Sequence, residues 1–259
     1  GLRRHDCMTS FDGARLELLG SAGAYDLITA SRTALEAPVG WATAETLTYT
    51  HPAPTSVCGM MLESLGASTP VARGRSATTA WRFACGDAAA RNEALVAAAL
   101  LAEAGGDGGL AASNRGGYHS DRDALGAEAP CLGELRALVA AAISALPGKA
   151  RGRREIVHSW FNINRGDNHN ALHDHRPALF SGVYYAAAPR AGGGELAFQL
   201  DASLGCSAAA PGAGTCSYGV VEPADGVLVV FPGGLKHAVF PMCAGPRPRV
   251  SISFNVAPT

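Results

Sequence analysis

Two textures divide the chain. Over 87–146 the apolar residues recur at helical spacing. Leu95, Ala98, Ala99 and Ala102 form one stripe, and Leu135, Leu138, Val139, Ala142, Ile143 and Leu146 form another. Asp87 stands where it can cap the first helix, and the run Gly105-Gly106-Asp107-Gly108-Gly109 ends it. The second helix is expected over 132–146, stopped by Pro147-Gly148. After Arg154 the period shortens to that of strands. Runs rich in β-branched and aromatic residues fall at 156–163, 179–186, 195–200, 217–221, 227–231, 237–240 and 250–256, with Gly, Pro and Asp between them. Many short strands after a helical region predict an α+β fold: an eight-stranded jelly roll, or double-stranded β-helix, with helices bracing one sheet. Residues 1–75 mix apolar and small residues without a sustained period, so they read as an N-terminal extension or packed layer. Residues 76–79 read as a connector.

Composition narrows the class. The chain is 47% hydrophobic and 17% charged over 259 residues, enough for one sizeable core. A net charge of −1 and no broad basic stretch argue against a nucleic-acid partner. No apolar run is long enough to span a bilayer, so no membrane partner is expected and the default compartment is the cytoplasm. None of the seven cysteines forms a CxxC pair, which removes a thiolate zinc site. Cys206 and Cys216 flank a Gly/Ala/Pro-rich loop and could bridge locally, although free thiols are the plainer reading.

The chemistry concentrates in histidines. In Leu172-His173-Asp174-His175, a strand would turn His173 and His175 to one face and Asp174 to the other. Imidazole suits iron, zinc and copper. A third ligand must come from a distant strand, and His237 follows the turn Pro232-Gly233-Gly234. The run from Gly226 through Pro232 and Gly234 to His237 resembles the second cupin motif, in which a tight turn delivers a metal-binding His into a jelly roll. Twelve residues on stands Arg249, with Ser251 on the same strand face. A guanidinium fork binds a planar carboxylate through two charge-assisted hydrogen bonds.

Four ordered segments then resemble a family of 2-oxoglutarate/Fe(II) oxygenases known chiefly from bacteria and phages. They are Ser113-Asn114-Arg115-Gly116-Gly117-Tyr118-His119-Ser120; Ser159-Trp160-Phe161-Asn162; His173-x-His175 followed by Ser181-Gly182-Val183-Tyr184-Tyr185; and Asp225-Gly226, Phe231-Pro232, His237 and Arg249-x-Ser251-Ile252-Ser253-Phe254-Asn255. The resemblance implies an oxygenase domain over 76–259, with helical support at 87–147 and the jelly roll at 155–256. It implies Fe(II) as the metal, 2-oxoglutarate as cosubstrate and O2 as oxidant, with succinate and CO2 released and a substrate hydroxylated. Arg249 and Ser251 would hold the far carboxylate of 2-oxoglutarate, and Tyr184 and Asn162 would line the barrel beside it. Tyr118, His119, His169 and Asn255 are candidate substrate contacts. The substrate is expected to be a small molecule or a peptide, of unspecified identity, and the sequence is silent on oligomeric state.

Three readings of the ligand set stay open. The leading one is a triad of His173, His175 and His237. In the others, a bulge turns Asp174 inward, or His175 stands behind the ligands. Two other functions compete: a three-His cupin-type dioxygenase that does not use 2-oxoglutarate, and a non-catalytic jelly-roll binding protein. Trp160, on the same strand face as Asn162, reads as core.

Overall fold

The structure is a computed structural model. It describes residues 25–52, 75–105, 108–121, 123–147, 153–188, 192–200, 216–242 and 245–258. The described strands are β1 (Tyr25–Ile28), β2 (Ser31–Leu35), β3 (Thr43–Pro52), β4 (Arg75–Ala84), β5 (Asn114–Arg115), β6 (Tyr118–His119), β7 (Arg154–Asn164), β8 (His169–His173), β9 (Phe180–Ala187), β10 (Leu196–Gln199), β11 (Cys216–Val221), β12 (Val227–Pro232), β13 (His237–Val239) and β14 (Arg249–Pro258). Helix α1 (Ala89–Ala104) precedes β5, and α2 (Pro130–Ala145) precedes β7.

Two sheets face each other. One is ordered β1-β11-β10-β13-β8-β5 and the other β2-β3-β4-β12-β9-β14-β7-β6. This is the α+β double-stranded β-helix with flanking helices, but its sheets hold six and eight of the described strands rather than eight in all. The difference comes from β1–β4 in the N-terminal third and from the two short strands β5 and β6. β2 and β3 continue the larger sheet through β4, and β1 pairs in parallel with β11. Residues 76–79 are therefore strand, not connector: Thr78 and Thr79 pair with Tyr49 and Thr48. β-branched residues at these positions suit a pleated surface.

The larger sheet has two apolar faces. Its outer face, with Phe161, Ile163, Tyr184, Ile252 and Phe254, is covered by Leu95 and Ala99 of α1 and by Leu135, Val139 and Ile143 of α2. Each large aliphatic side chain buried there contributes about 1.5–3 kcal/mol. Its inner face meets the smaller sheet through Val183, Tyr185, Val229 and Phe231 against Leu196 and Phe198. Asp87 does not cap α1: the cap position is Ala88, with no side-chain hydrogen bond. α2 begins two residues earlier than expected, because Pro130 sits in its first turn, where its missing N–H is not needed.

Segment 113–120 stitches the sheets at one edge. β5 pairs with β8 of the smaller sheet and β6 with β7 of the larger. Gly226, with φ of +77°, makes the turn into β12 that a side chain would strain. The Cys206–Cys216 question lies outside what can be described, as does 1–24. No helix among the described residues is long and apolar enough to cross a membrane.

Candidate metal centre

Three imidazoles converge between the sheets. His173 ends β8 and pairs in register with His237 at the start of β13. Two residues further along β13, Val239 pairs with Asn170, so β8 carries one extra residue. That bulge turns Asn170 and His173 to the same pocket although they lie three apart. His175 is not on the strand, contrary to the simple alternation read from the sequence. It stands in the following turn, where its backbone N–H donates to the Gly233 carbonyl at 2.8 Å. Gly233 itself passes so close to the Ala178 carbonyl that a Cβ would lie 2.2 Å from it.

The ring centroids are 4.3 Å apart for His173–His237, 4.9 Å for His173–His175 and 5.0 Å for His175–His237. One ligand atom from each lies within 4.8 Å of the others, close enough to hold one metal ion. Burial makes the rings good ligands. It pushes His237 well below the usual imidazole range and lowers His173; burial, then the neighbouring His173, brings His175 down to about 4. All three are therefore neutral near pH 7, with a lone pair to give. His173 Nδ1–H donates to the Ala171 carbonyl at 2.7 Å and His237 Nδ1–H to the Leu235 carbonyl at 2.9 Å, which turns Nε2 of each outward. Asp174 faces away. Its carboxylate pairs with Arg176 at 2.8 Å, whose hydrogen bonds hold it down at about 2.

Arg249 closes the other end of the same pocket and is only 2% exposed. Its Nη1 donates to Asn164 Oδ1 at a long 3.3 Å, and its guanidinium lies 5.1 Å from the centre of the Tyr185 ring. It makes no ion pair among the described residues. Its Nε and the Ser251 hydroxyl are buried without a hydrogen-bond partner, and the Tyr185 hydroxyl faces the guanidinium. A buried cation left without an anion costs several kcal/mol, so a carboxylate delivered here answers a need the fold creates. These unpaired donors fit 2-oxoglutarate, and the imidazole set fits Fe(II).

The other candidates separate clearly. Asn162 lines the pocket and donates to Ser253 Oγ at 3.0 Å. Tyr184 does not line it; this expectation is corrected. Its hydroxyl donates to Asn92 Oδ1 of α1 at 2.7 Å, on the helix side of the sheet. Tyr185, one residue on, faces Arg249 instead. Tyr118 is likewise on the helix side, in a cavity of about 350 Å³ with Phe161 and Leu132. His169 stays away from the pocket, its Nδ1–H on the Asp167 carbonyl at 3.1 Å. Asn255 lies on the inward face of β14, level with Ser181 and His158. His119 is buried against Trp160, and Trp160 itself lines the pocket rather than the core. Residues 113, 164, 170 and 185 were missed. A signal for Tyr185 was available in Arg249 and Ser251, since the neighbouring strand must present the same face.

Jelly roll, helices on one sheet and three converging imidazoles define a jelly-roll protein with a candidate metal centre. Sequence comparison then speaks for part of the chain. A model of 2OG-Fe(II) oxygenases matches residues 158–255, a span that contains all three histidines and Arg249. That segment belongs to the 2OG-Fe(II) oxygenases, non-haem iron enzymes with Fe(II) and 2-oxoglutarate as cofactor and cosubstrate and O2 as oxidant. No curated protein sequence matches the chain. Among solved structures, a Pseudomonas putida prolyl-4-hydroxylase is similar with a TM-score of 0.50 at 22% identity, over 69% of this chain and 91% of that one. HygX from Streptomyces hygroscopicus, solved with nickel, 2-oxoglutarate and hygromycin B, is similar with a TM-score of 0.51 at 12% identity, over 70% and 84%. Likeness at these identities speaks for the fold.

Proposed function

We propose that His173, His175 and His237 hold Fe(II), that Arg249 binds the far carboxylate of 2-oxoglutarate, and that the chain hydroxylates a C–H bond of a small molecule or a peptide. The observation that carries this is Arg249: a buried guanidinium with no ion pair among the described residues, in the same pocket as three neutral imidazoles. Ser251 and Tyr185 add hydroxyl donors beside it, and Asn164 orients it. Asn162 lies between the two ends of the pocket and contacts the bound cosubstrate or the substrate. Iron bound here supplies the oxidative chemistry, with 2-oxoglutarate leaving as succinate and CO2. The protein's share is to hold both ligands in fixed geometry and keep the pocket dry. The substrate class follows the two similar structures, one a prolyl hydroxylase and one holding the small molecule hygromycin B.

The absence of a carboxylate from the imidazole set favours one other reading, a three-His dioxygenase that does not use 2-oxoglutarate. One experiment separates them. Fe(II) and then 2-oxoglutarate are added without oxygen while the visible spectrum is followed, with Arg249→Ala alongside. The proposal expects a charge-transfer band in the wild type that is weakened in the variant. Tight iron binding with no band sinks the 2-oxoglutarate reading and leaves the three-His dioxygenase.

A further inference from the structure

The three imidazoles are not held alike. His173 and His237 each have a ring N–H on a backbone carbonyl, a bond that fixes both tautomer and ring rotation. His175 has no ring hydrogen bond among the described residues. It also stands outside β8, tied to the fold at its backbone by the Gly233 carbonyl. Apart from the other two imidazoles, the ring that packs against it is Trp160, with centroids 5.5 Å apart and planes at 52°. Trp160 is itself wedged among rings. His119 stacks on it at 5.3 Å with planes only 12° apart, and His158 packs at 5.2 Å and 30°. Trp160 and His119 are 6% and 7% exposed, so neither ring is free to turn through solvent.

We infer that Trp160 is the positioning residue for His175, orienting by ring packing the one ligand that lacks a hydrogen-bonded anchor, with His119 setting the angle of the indole. This deepens the metal reading above and rests on it. The aromatic array takes the place of the carbonyl acceptors that serve the other two ligands. A residue with this role acts on the metal, so its loss shows in metal affinity and in the ligand field, beyond any effect on the fold.

The test uses Co(II), which needs neither oxygen nor substrate to report. Wild type, Trp160→Ala, Trp160→Phe and His119→Ala are titrated by calorimetry, with the visible ligand-field spectrum and the metal-free melting temperature recorded for each. Losing a partner that orients a ligand costs about 10–100-fold in metal affinity. Trp160→Ala is therefore expected to lose at least about tenfold with an altered spectrum. Trp160→Phe keeps most of the affinity, and His119→Ala falls between. If Trp160→Ala does not fold, His119→Ala decides. Unchanged affinity and spectrum in the deciding variant overturn the inference, as does a fall that tracks the metal-free melting temperature with the spectrum unaltered. A wild type that binds no Co(II) overturns the metal reading itself, which separates the two failures.

Discussion

At the scale of single residues, Arg249 sets two effects against each other. Its guanidinium is buried, and the hydrogen bond to Asn164 is long at 3.3 Å. Replacing it with an apolar side chain of similar length removes an uncompensated charge, and even buried ion pairs are often replaced by apolar residues with no loss or a gain of about 1–4 kcal/mol. Arg249→Met is thus expected to melt no lower than the wild type while losing about 2–5 kcal/mol of 2-oxoglutarate affinity. Thermal melts and anaerobic 2-oxoglutarate titration check both halves, and a large drop in melting temperature would contradict the first. The neighbouring tyrosines should divide in the same manner. Tyr184→Phe loses the bond to Asn92 and about 1 kcal/mol of stability, with cosubstrate affinity unchanged. Tyr185→Phe costs little stability, since its hydroxyl faces only the donors of Arg249 without a well-formed hydrogen bond, and weakens 2-oxoglutarate binding. That pair also shows where the sequence was silent. β9 is buried along its whole length on both faces, so no polar alternation sets its phase, and Tyr184 and Tyr185 cannot be told apart from their own surroundings. His173, His237 and Arg249 were legible because their residue types serve chemistry poorly explained by packing.

Elements were legible in proportion to how plainly their pattern follows one period. α2, β7 and the strands from β9 to β14 were found within a few residues, because each carries an apolar stripe or a β-rich run bounded by turn residues. β3 and β4 were not. Thr46, Thr48, Thr78 and Thr79 are polar in composition yet pair in register inside the larger sheet. A strand was read at 172–175, whereas β8 spans His169–His173, and its bulge was not legible, since a one-residue insertion in the ladder leaves no mark on residue types. The turn between β12 and β13 tests how tightly an element fixes a ligand. A Cβ at Gly233 meets the Ala178 backbone at 2.2 Å, whereas one at Gly234 meets only the side chain of Arg176 at 3.5 Å. Gly233→Ala should therefore cost about 1–3 kcal/mol, the range for overpacking, and should weaken metal binding with it, because Gly233 also holds the His175 backbone. Gly234→Ala should do neither. Equal melting temperatures and metal affinities for the two variants would show that the turn is looser than its packing requires.

At the scale of the molecule, the site belongs to both sheets at once. β8 and β13 of the smaller sheet bring His173 and His237, and β7, β9 and β14 of the larger bring Asn162, Tyr185 and Arg249. The motif resemblance implied one site for the histidines, Asn162 and Arg249, but not which sheet brings each, because strand order appears only once the sheets close on each other and the N-terminal strands that extend them carry no period of their own. The energetic consequence of a site shared by both sheets follows from charge. On the proposed reading, three neutral imidazoles would put a dication beside a buried guanidinium with no carboxylate among the ligands, so the pocket holding metal alone would be strongly positive. A dianion that touches both ends relieves that charge, and metal and 2-oxoglutarate must then favour each other's binding. By linkage the coupling is reciprocal and typically about 5–150-fold. With Ni(II), 2-oxoglutarate affinity should rise by a factor within that range over the metal-free protein, and Ni(II) affinity should rise by the same factor when 2-oxoglutarate is present. Calorimetry in both orders measures the two factors independently. Because the site spans both sheets, each ligand should also stabilise the fold, by about 2.7 kcal/mol at a hundred times its dissociation constant. If 2-oxoglutarate binds equally well with and without Ni(II), Arg249 serves an anion that never meets the metal, and the two ends of the pocket are separate sites.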